Sequence, residues 1–312
     1  MTEGGRLAVE ISALTKSFGH TTALNGVDLA VAPGEVAGFL GPNGAGKSTT
    51  LRILLGLLRA DSGLVRLLDG DPWRDAVRLH RRIAYVPGDV TLWPNLTGMQ
   101  AIDFLAALRG GDTVDHRRRD QLIERFELDP SKKARTYSKG NRQKVAIVAA
   151  FSTRAELFVL DEPTAGLDPL MEKAFQHCAR EVADQGAAVL LSSHILAEVE
   201  TLCRTVTIVR SGRTVRSATL EQMRDLMRTN VTARTRGDGH VLESAPYVGD
   251  FRSSDGRLHF SVDRADIDRA MSDLTRLGID ELTVQPASLE DMFLREYQGP
   301  GTGKRTTDGD HD

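Results

Sequence analysis

The chain has 312 residues, of which 40 % are hydrophobic and 27 % are charged. This composition is typical of a soluble globular protein with one large or two modest domains. The formal net charge of −3 leaves no basic excess to neutralise a nucleic-acid backbone, so we expect no nucleic-acid partner. No apolar run approaches the roughly 18 residues that cross a bilayer, and the first residues lack the pattern of a signal peptide, which predicts a cytoplasmic protein.

The sequence contains two cysteines, Cys178 and Cys203, in no C-x-x-C arrangement. This spacing argues against a disulfide framework and against a zinc site. We therefore expect two ordinary, semi-buried thiols.

The N-terminal part of the chain contains two kinds of strand pattern. Residues 7–11 and 64–68 are short β-like runs bounded by turn residues, which predicts an antiparallel layer. Between them, the mostly apolar residues 35–40 predict a short buried strand, and residues 48–58 predict a helix. The segment that joins this strand to this helix is the most informative part of the sequence.

That segment fits the phosphate-binding pattern G-x-x-x-x-G-K-[ST] at every fixed position. Glycines let successive backbone N–H groups point inward around phosphate oxygens, at the positive end of the following helix. Lys47 can reach the β- and γ-phosphates, and the Ser48 hydroxyl can bind the Mg²⁺ that bridges them. The pattern predicts a nucleoside triphosphate site formed by Gly41, Pro42, Asn43, Gly44, Ala45, Gly46, Lys47, Ser48 and Thr49.

The middle of the chain predicts an α/β core with a helical insert. Apolar residues recur at near-helical spacing over residues 97–128, with a glycine pair as a break. Residues 158–160 and 187–191 are continuous apolar runs, as expected for parallel strands that are buried on both faces.

The character changes after about residue 215, where short alternating strands such as residues 258–262 predict a small α+β region. Helices are expected near residues 265–277 and 288–297, and the glycine-rich, charged residues 299–312 predict a disordered tail. The expected domains are residues 1–214, with a helical subdomain at about 90–140, then residues 215–298 and the tail.

Four further segments supply groups around a γ-phosphate. In the first, Asp161 ends a hydrophobic strand, where a carboxylate can hold Mg²⁺, and Glu162 follows it and can polarise the attacking water. Alone, such an acidic pair is more often a surface feature. Residues 137–143 resemble the L-S-G-G-Q signature of ATP-binding-cassette (ABC) proteins, residues 164–168 resemble their D-loop, and residues 192–194 resemble their switch histidine.

From about residue 7 to 212 the chain resembles a complete ABC ATPase cassette. The resemblance implies a P-loop fold with a mixed-sheet core, an antiparallel β-subdomain and a helical subdomain, in a head-to-tail dimer that holds two ATP molecules with Mg²⁺. It also implies catalytic roles for Glu162, His194 and Lys47 and metal ligands at Ser48 and Asp161. Phe18 would stack on adenine, although such an aromatic is usually a core residue, and His194 alone would more often be an ordinary polar residue. The contacts to nucleotide from the other subunit would come from Ser138, Lys139, Gly140 and the D-loop around Asp168.

The chain departs from the family pattern in two places. The lid loop normally carries a glutamine, but Gly88 and Asp89 stand here. Either Asp89 takes over the contact on the metal side, or backbone and water fill the gap. Lys139 replaces the first signature glycine, and its charge either lies near the partner's γ-phosphate or points to solvent.

The resemblance implies a separate integral-membrane permease, so the chain would lie peripherally on the inner face of the membrane. Residues 90–97 lie where family members accept the permease, with Trp93 either an exposed anchor or a buried core residue. Residues 287–297 resemble the C-terminal extension of drug and antibiotic export ATPases, including those for polyketides in actinobacteria. We therefore expect export, a homodimer and no solute-binding protein. The alternatives are a soluble ABC ATPase that acts on ribosomes or nucleic acid, and a protein that binds ATP without turnover.

Overall fold

The computed structural model describes residues 6–108, 114–225 and 228–285. The chain divides into two compact units, of which the first ends at Thr219 and the second begins at Leu220. The boundary expected at residue 214 falls inside a strand, Arg213–Thr219, that pairs with the strand before it. The boundary therefore lies after this strand, because its hydrogen bonds belong to the first unit.

The first unit contains the antiparallel layer that the sequence predicts. Its strands are β1 (Val9–Phe18), β2 (Thr21–Val31) and β4 (Ser62–Leu67), in the order β2-β1-β4. Val9, Ile11 and Leu14 alternate with more exposed residues along β1 and are buried in one large apolar cluster. Val9 and Ile11 show the period of two of a strand with one face on the core, and a register shift between Ile11 and Leu14 returns Leu14 to that face.

A mixed six-stranded sheet forms the centre of the first unit. Its strands are β3 (Val36–Leu40), β5 (Ile83–Val86), β6 (Leu157–Asp161), β7 (Ala188–Ser193), β8 (Thr205–Arg210) and β9 (Arg213–Thr219). The order is β5-β6-β7-β3-β8-β9, and all neighbours are parallel except β8 and β9. Every residue of β3 and β7 is buried, which explains their unbroken apolar runs. The carboxyl ends of β3, β6 and β7 share one edge, where ligands of such sheets bind.

Helices cover this sheet. They are α1 (Lys47–Leu54), α2 (Ala76–His80), α3 (Gly98–Ala107), α4 (His116–Arg125), α5 (Lys139–Phe151), α6 (Pro169–Asp184) and α7 (Leu196–Leu202). The first is shorter than the predicted 48–58, because the chain turns at Gly56, whose φ is +66°. The helical region extends through α5 to Phe151, past its expected end near residue 140.

The second unit is α+β, as the sequence predicts. Its elements are α8 (Leu220–Asp225), β10 (Thr229–Thr235), β11 (Val248–Ser254), β12 (Arg257–Val262), α9 (Ile267–Leu277) and β13 (Ile279–Gln285). The strands form an antiparallel sheet in the order β11-β12-β10-β13, and the buried face of α9 belongs to the same apolar cluster as the inner face of β12. The predicted helix at 288–297 and the predicted tail at 299–312 lie outside the described residues.

Two findings concern the whole described chain. Cys178 and Cys203 are free thiols and both are buried, so the expectation of semi-buried thiols is wrong. Within the three described ranges, no helix is both long enough and apolar enough to span a bilayer.

Candidate active site

The predicted phosphate loop connects β3 to α1 and rests against the core. Gly44 and Gly46 have φ of +80° and +108°, which residues with a Cβ rarely adopt. A Cβ on Gly46 would lie 2.6 Å from a methyl carbon of Leu24, and one on Gly41 would lie 2.4 Å from the carbonyl oxygen of Val209. The glycines are therefore required by backbone conformation and by close packing, and they leave a concave backbone that suits phosphate.

Lys47 is buried at the start of α1, with its ammonium folded back into the loop. Its Nζ donates to the carbonyl oxygen of Gly41 at 2.6 Å and to that of Pro42 at 3.3 Å. Burial lowers the pKa of Lys47, while the nearby carboxylates of Glu162 and Asp161 raise it. The ammonium thus lies where the charge of a triphosphate can reach it.

Asp161 ends β6 at the sheet edge that holds the loop. Burial raises the pKa of Asp161, whereas the hydroxyls of Ser192 and Ser48 and the charge of Lys47 lower it. No group of three or more His, Cys, Asp or Glu side chains in the described part of the chain could hold a metal. The Asp161 carboxylate and the Ser48 hydroxyl nevertheless suit Mg²⁺, because Mg²⁺ needs few protein ligands and completes its shell with water and substrate phosphates.

Glu162 has an unusual backbone conformation and lies beside His194 and Lys47. Its φ is +45°, which is rare for a residue with a side chain and recurs at functional sites. Its Oε1 lies 3.2 Å from Nδ1 of His194 and 3.8 Å from Nζ of Lys47. Because β6 and β7 are neighbours, the sheet brings the predicted base and the predicted switch histidine together. Both remain partly open to solvent, at 30 % and 47 % exposure, as a group that meets substrate must be.

The predicted adenine platform lies at the surface. Phe18 ends β1 and is half exposed, so it is not a core residue. The ammonium of Lys16 lies 5.6 Å from the centre of its ring. An exposed ring face is what stacking on a base requires.

The signature segment begins α5, and Ser138 and Lys139 at its start are exposed. Ser138 caps the helix by accepting a hydrogen bond from the backbone N–H of Asn141 at 3.2 Å. A Cβ on Gly140 would lie 2.4 Å from the carbonyl oxygen of Gly166, and the stem of Lys139 runs beside the same glycine. The signature and D-loop of one chain are therefore in direct backbone contact.

Asp168 follows this contact and starts α6. Its carboxylate accepts from the backbone N–H groups of Leu170 at 3.1 Å and Met171 at 3.0 Å, and these bonds lower the pKa of Asp168. Asp168 therefore fixes the end of the D-loop as a helix cap.

The lid segment follows β5 and approaches Asp161 through its backbone. A Cβ on Gly88 would lie 3.1 Å from the carbonyl oxygen of Asp161 and 3.6 Å from Cβ of Glu162. Asp89 is exposed. Of the two expectations for the lid, this geometry favours a backbone contact at Gly88, and a metal ligand at Asp89 stays a prediction.

The sequence of this chain is similar to those of known proteins. The sequence model of the ABC transporter family matches residues 24–165, and one described as an AAA domain matches residues 133–200. The daunorubicin/doxorubicin resistance ATP-binding protein DrrA of Streptomyces peucetius is 32 % identical over 96 % of this chain and 95 % of its own length. The chain belongs to the ATP-binding subunits of ABC transporters.

Two further relatives agree with this assignment. The bacitracin transport ATP-binding protein BcrA of Enterococcus faecalis is 29 % identical over 94 % of this chain and 97 % of its own length. A solved structure described as the ATP binding subunit of an ABC transporter is 33 % identical and superposes with a TM-score of 0.65, over 70 % of this chain and 92 % of that one.

This ABC subunit therefore binds nucleotide and hydrolyses ATP to power transport, as its sequence predicts. The predicted fold class is also confirmed. The alternative of a soluble ABC ATPase that acts on ribosomes or nucleic acid finds no support among these relatives.

The structure adds three residues of the cassette that sequence reasoning missed. Gln143 is buried in α5 and donates from Nε2 to the carbonyl oxygen of Pro87 at 3.3 Å, which ties the lid to the signature helix. Burial, followed by the charge of Asp161, raises the pKa of Tyr85 to about 12. Glu198 is a buried carboxyl behind the switch histidine. A usable signal existed for Glu198, which shares a helical face with the apolar residues Val199 and Leu202.

Proposed function

We propose that this ABC subunit powers the export of a drug-like or antibiotic-like compound through a separate integral-membrane permease. The proposal is supported by relatives named for daunorubicin resistance and bacitracin transport, which the chain matches over at least 95 % of their own lengths. Both relatives are named as ATP-binding proteins, so the pathway for the compound belongs to another chain. ATP is supplied from the cytoplasm, so the subunit acts at the inner face of the membrane. Export from that side needs no solute-binding protein.

The observation that carries hydrolysis is the position of the Glu162 carboxylate between His194 and Lys47, at 3.2 Å and 3.8 Å. Glu162 accepts a proton from the attacking water. His194 orients that carboxylate and meets the γ-phosphate as it becomes more negative. Lys47 and the loop amides hold the β- and γ-phosphates in place. Ser48 and Asp161 would hold Mg²⁺, which would neutralise phosphate charge when bound.

We further propose that the working form is a head-to-tail homodimer with two ATP molecules. Ser138 and Lys139 are exposed polar residues on the first turn of α5, where backbone N–H groups have no partner within the helix. A triphosphate held by the loop of a second copy supplies the anion that this helix end favours. The contact between Gly140 and Gly166 makes the signature and D-loop move as one surface when the copies close.

An apolar groove in the cassette supports a docking site for the permease. It has a volume of about 350 Å³ and lies among β5, the lid, α3 and α5, with Leu92, Leu105 and Ala146 in its lining. Beside these elements, Trp93 is 47 % exposed and packs edge-on against Phe104 with ring centres 4.6 Å apart. An exposed aromatic at an apolar groove is a typical interface anchor. We propose that a short cytoplasmic helix of the permease packs here, with Trp93 as an anchor.

Affinity capture tests this function. The tagged Glu162→Gln chain should be purified with Mg²⁺ and ATP from detergent-solubilised membranes, since this variant holds ATP without turnover. We expect a multispan membrane protein to copurify, and its recovery should fall with Trp93→Ala. The Lys47→Ala chain is the control for ATP dependence. Recovery of ribosomal or DNA-repair proteins, with no membrane protein above the control, would contradict the proposal.

A further inference from the structure

Glu198 is a buried carboxyl that the proposed hydrolysis does not use. It lies on α7 with an exposure of 6 %. Its Oε2 accepts a hydrogen bond from Oγ of Ser193 at 2.7 Å. Its Oε1 is buried without a hydrogen-bond partner among the described residues. A buried polar atom left unpaired destabilises a fold, so this carboxyl needs an explanation other than stability.

The hydrogen bond from Ser193 reaches the turn that carries the switch histidine. Besides donating to Glu198, Oγ of Ser193 accepts from the backbone N–H of Ile195 at 3.0 Å. Ser193 and Ile195 are the two neighbours of His194. The Ser193 hydroxyl thus links the two residues on either side of His194, and the Glu198 carboxylate accepts a hydrogen bond from that hydroxyl.

The surroundings of Glu198 connect the switch turn to the D-loop segment. Burial raises the pKa of Glu198, while the hydroxyls of Ser193 and Thr164 oppose that shift. Thr164 lies near enough to act on the carboxyl without completing a hydrogen bond to Oε1. The other titratable groups that interact electrostatically with Glu198 are Glu172 of α6, His194 and Cys203. Two of these neighbours belong to the D-loop segment or lie close to it, since Thr164 is the first residue of the D-loop and Glu172 lies in the first turns of α6.

We propose that Glu198 is a positioning residue for hydrolysis, which fixes the turn of Ser193, His194 and Ile195 and thereby aims His194 at Glu162. This inference rests on the role proposed above for His194. On this inference, hydrolysis depends on the hydrogen bond that Glu198 accepts from Ser193, and not on a negative charge at position 198. An amide at this position can accept the same bond from Ser193, whereas an alkyl side chain of similar size cannot.

A double-mutant cycle tests the inference on the full chain. Glu198→Leu should lower kcat roughly 10- to 100-fold, because a small misplacement of a catalytic group has effects of this size, with KM for ATP changed less than about 2-fold. Glu198→Gln should restore kcat to within about 3-fold of the wild type. In the His194→Ala background, adding Glu198→Leu should change kcat less than about 2-fold, because the group it positions is gone. Glu124→Leu, at an exposed site on α4, is the matched control.

Different failures have different meanings. An equal loss of kcat in both backgrounds, or no loss with Glu198→Leu, overturns the positioning role and leaves the role of His194 intact. Full activity of His194→Ala overturns the role of His194 and this inference with it. If Glu198→Leu does not fold, Ser193→Ala removes the same hydrogen bond from its other end and should lower kcat in the same way. An unchanged kcat for a folded Ser193→Ala chain overturns the inference.

Discussion

The predicted phosphate loop and the signature segment are supported differently by the fold. Around the loop, a Cβ on Gly41 or Gly46 would overlap core atoms, and Lys47 is buried. The signature has exposed Ser138 and Lys139, and its close contact is with Gly166 of the D-loop, which is itself exposed. One half of the site is thus built into the core of a single chain. In the proposed head-to-tail dimer, the other half lies on a surface that gains its function when a second chain covers it.

This difference predicts separable defects. Changes in the loop should weaken ATP binding by the isolated chain, because the loop geometry depends on packing with the core. Changes in the signature should leave that binding intact and lower turnover. Changes of catalytic groups outside both segments, such as the Glu162 carboxylate, should affect the chemical step of hydrolysis alone.

The largest effect is expected for Glu162→Gln. The amide cannot take a proton from water, so kcat should fall about 10²- to 10⁴-fold. ATP affinity should stay within about 2-fold, since the loop and Lys47 are unchanged. Steady-state phosphate release and equilibrium nucleotide binding measure the two quantities. Glu124→Gln, on the exposed face of α4, is the control, and normal turnover by Glu162→Gln would end its assignment as the base.

A pair of glycine substitutions tests how far the loop depends on the core. Gly46→Ala places a Cβ 2.6 Å from Leu24 and strains a φ of +108°, so ATP affinity should fall roughly 100-fold, equal to about 2.7 kcal/mol. Gly44→Ala strains a φ of +80°, but its Cβ would meet no described atom within 4 Å, and the fall should be about 10-fold. Titration with a fluorescent ATP analogue measures both. Equal losses would show that core packing does not matter.

The signature should respond in the opposite way. Gly140→Ala puts a Cβ 2.4 Å from the carbonyl oxygen of Gly166 and must separate the signature from the D-loop. We expect kcat to fall about 10-fold with ATP binding by the isolated chain unchanged. Gly186→Ala, which strains a φ of +96° but has open space around its Cβ, is the control for a glycine substitution without a close contact. A loss of ATP binding by Gly140→Ala would erase the distinction between the two halves.

The smallest effect is expected at the lid. Gly88→Ala places a Cβ 3.1 Å from the carbonyl oxygen of Asp161, so the lid must move by a few tenths of an ångström. We expect kcat to fall about 2- to 5-fold, with KM for ATP unchanged. Asp89→Asn should have no such effect if the backbone makes the contact. The reverse order of effects, with Asp89→Asn the more severe, would assign the metal side of the lid to Asp89.

Much of the fold and the site can be predicted from the sequence because the relevant signals are local. The loop pattern, the apolar strand before Asp161 and the pairing of strand ends in a parallel sheet are enough to bring Glu162 and His194 to one edge. The central strands are predicted well for a similar reason. Their unbroken apolar runs reflect burial on both faces.

The remainder depends on contacts between distant segments. Nothing local in the sequence shows that Gln143 reaches the carbonyl oxygen of Pro87, or that Gly140 needs its missing Cβ because of Gly166. Trp93 allows two interpretations from the sequence because a single tryptophan fits either a core or a surface, and the structure places it half exposed. The domain boundary shifts because the pairing of β9 with β8 outweighs the change in composition near residue 215.

The central claim is that each site takes its loop from one chain and its signature from another, and mixing two inactive chains tests it most directly. Lys47→Ala removes the loop lysine, and Ser138→Arg blocks the signature. A mixed dimer has one site with both defects and one with neither. ATPase activity should therefore recover on mixing to about a quarter of the wild-type rate, because half of the dimers are mixed and each keeps one of two sites. A mixture as inactive as its components would contradict the claim.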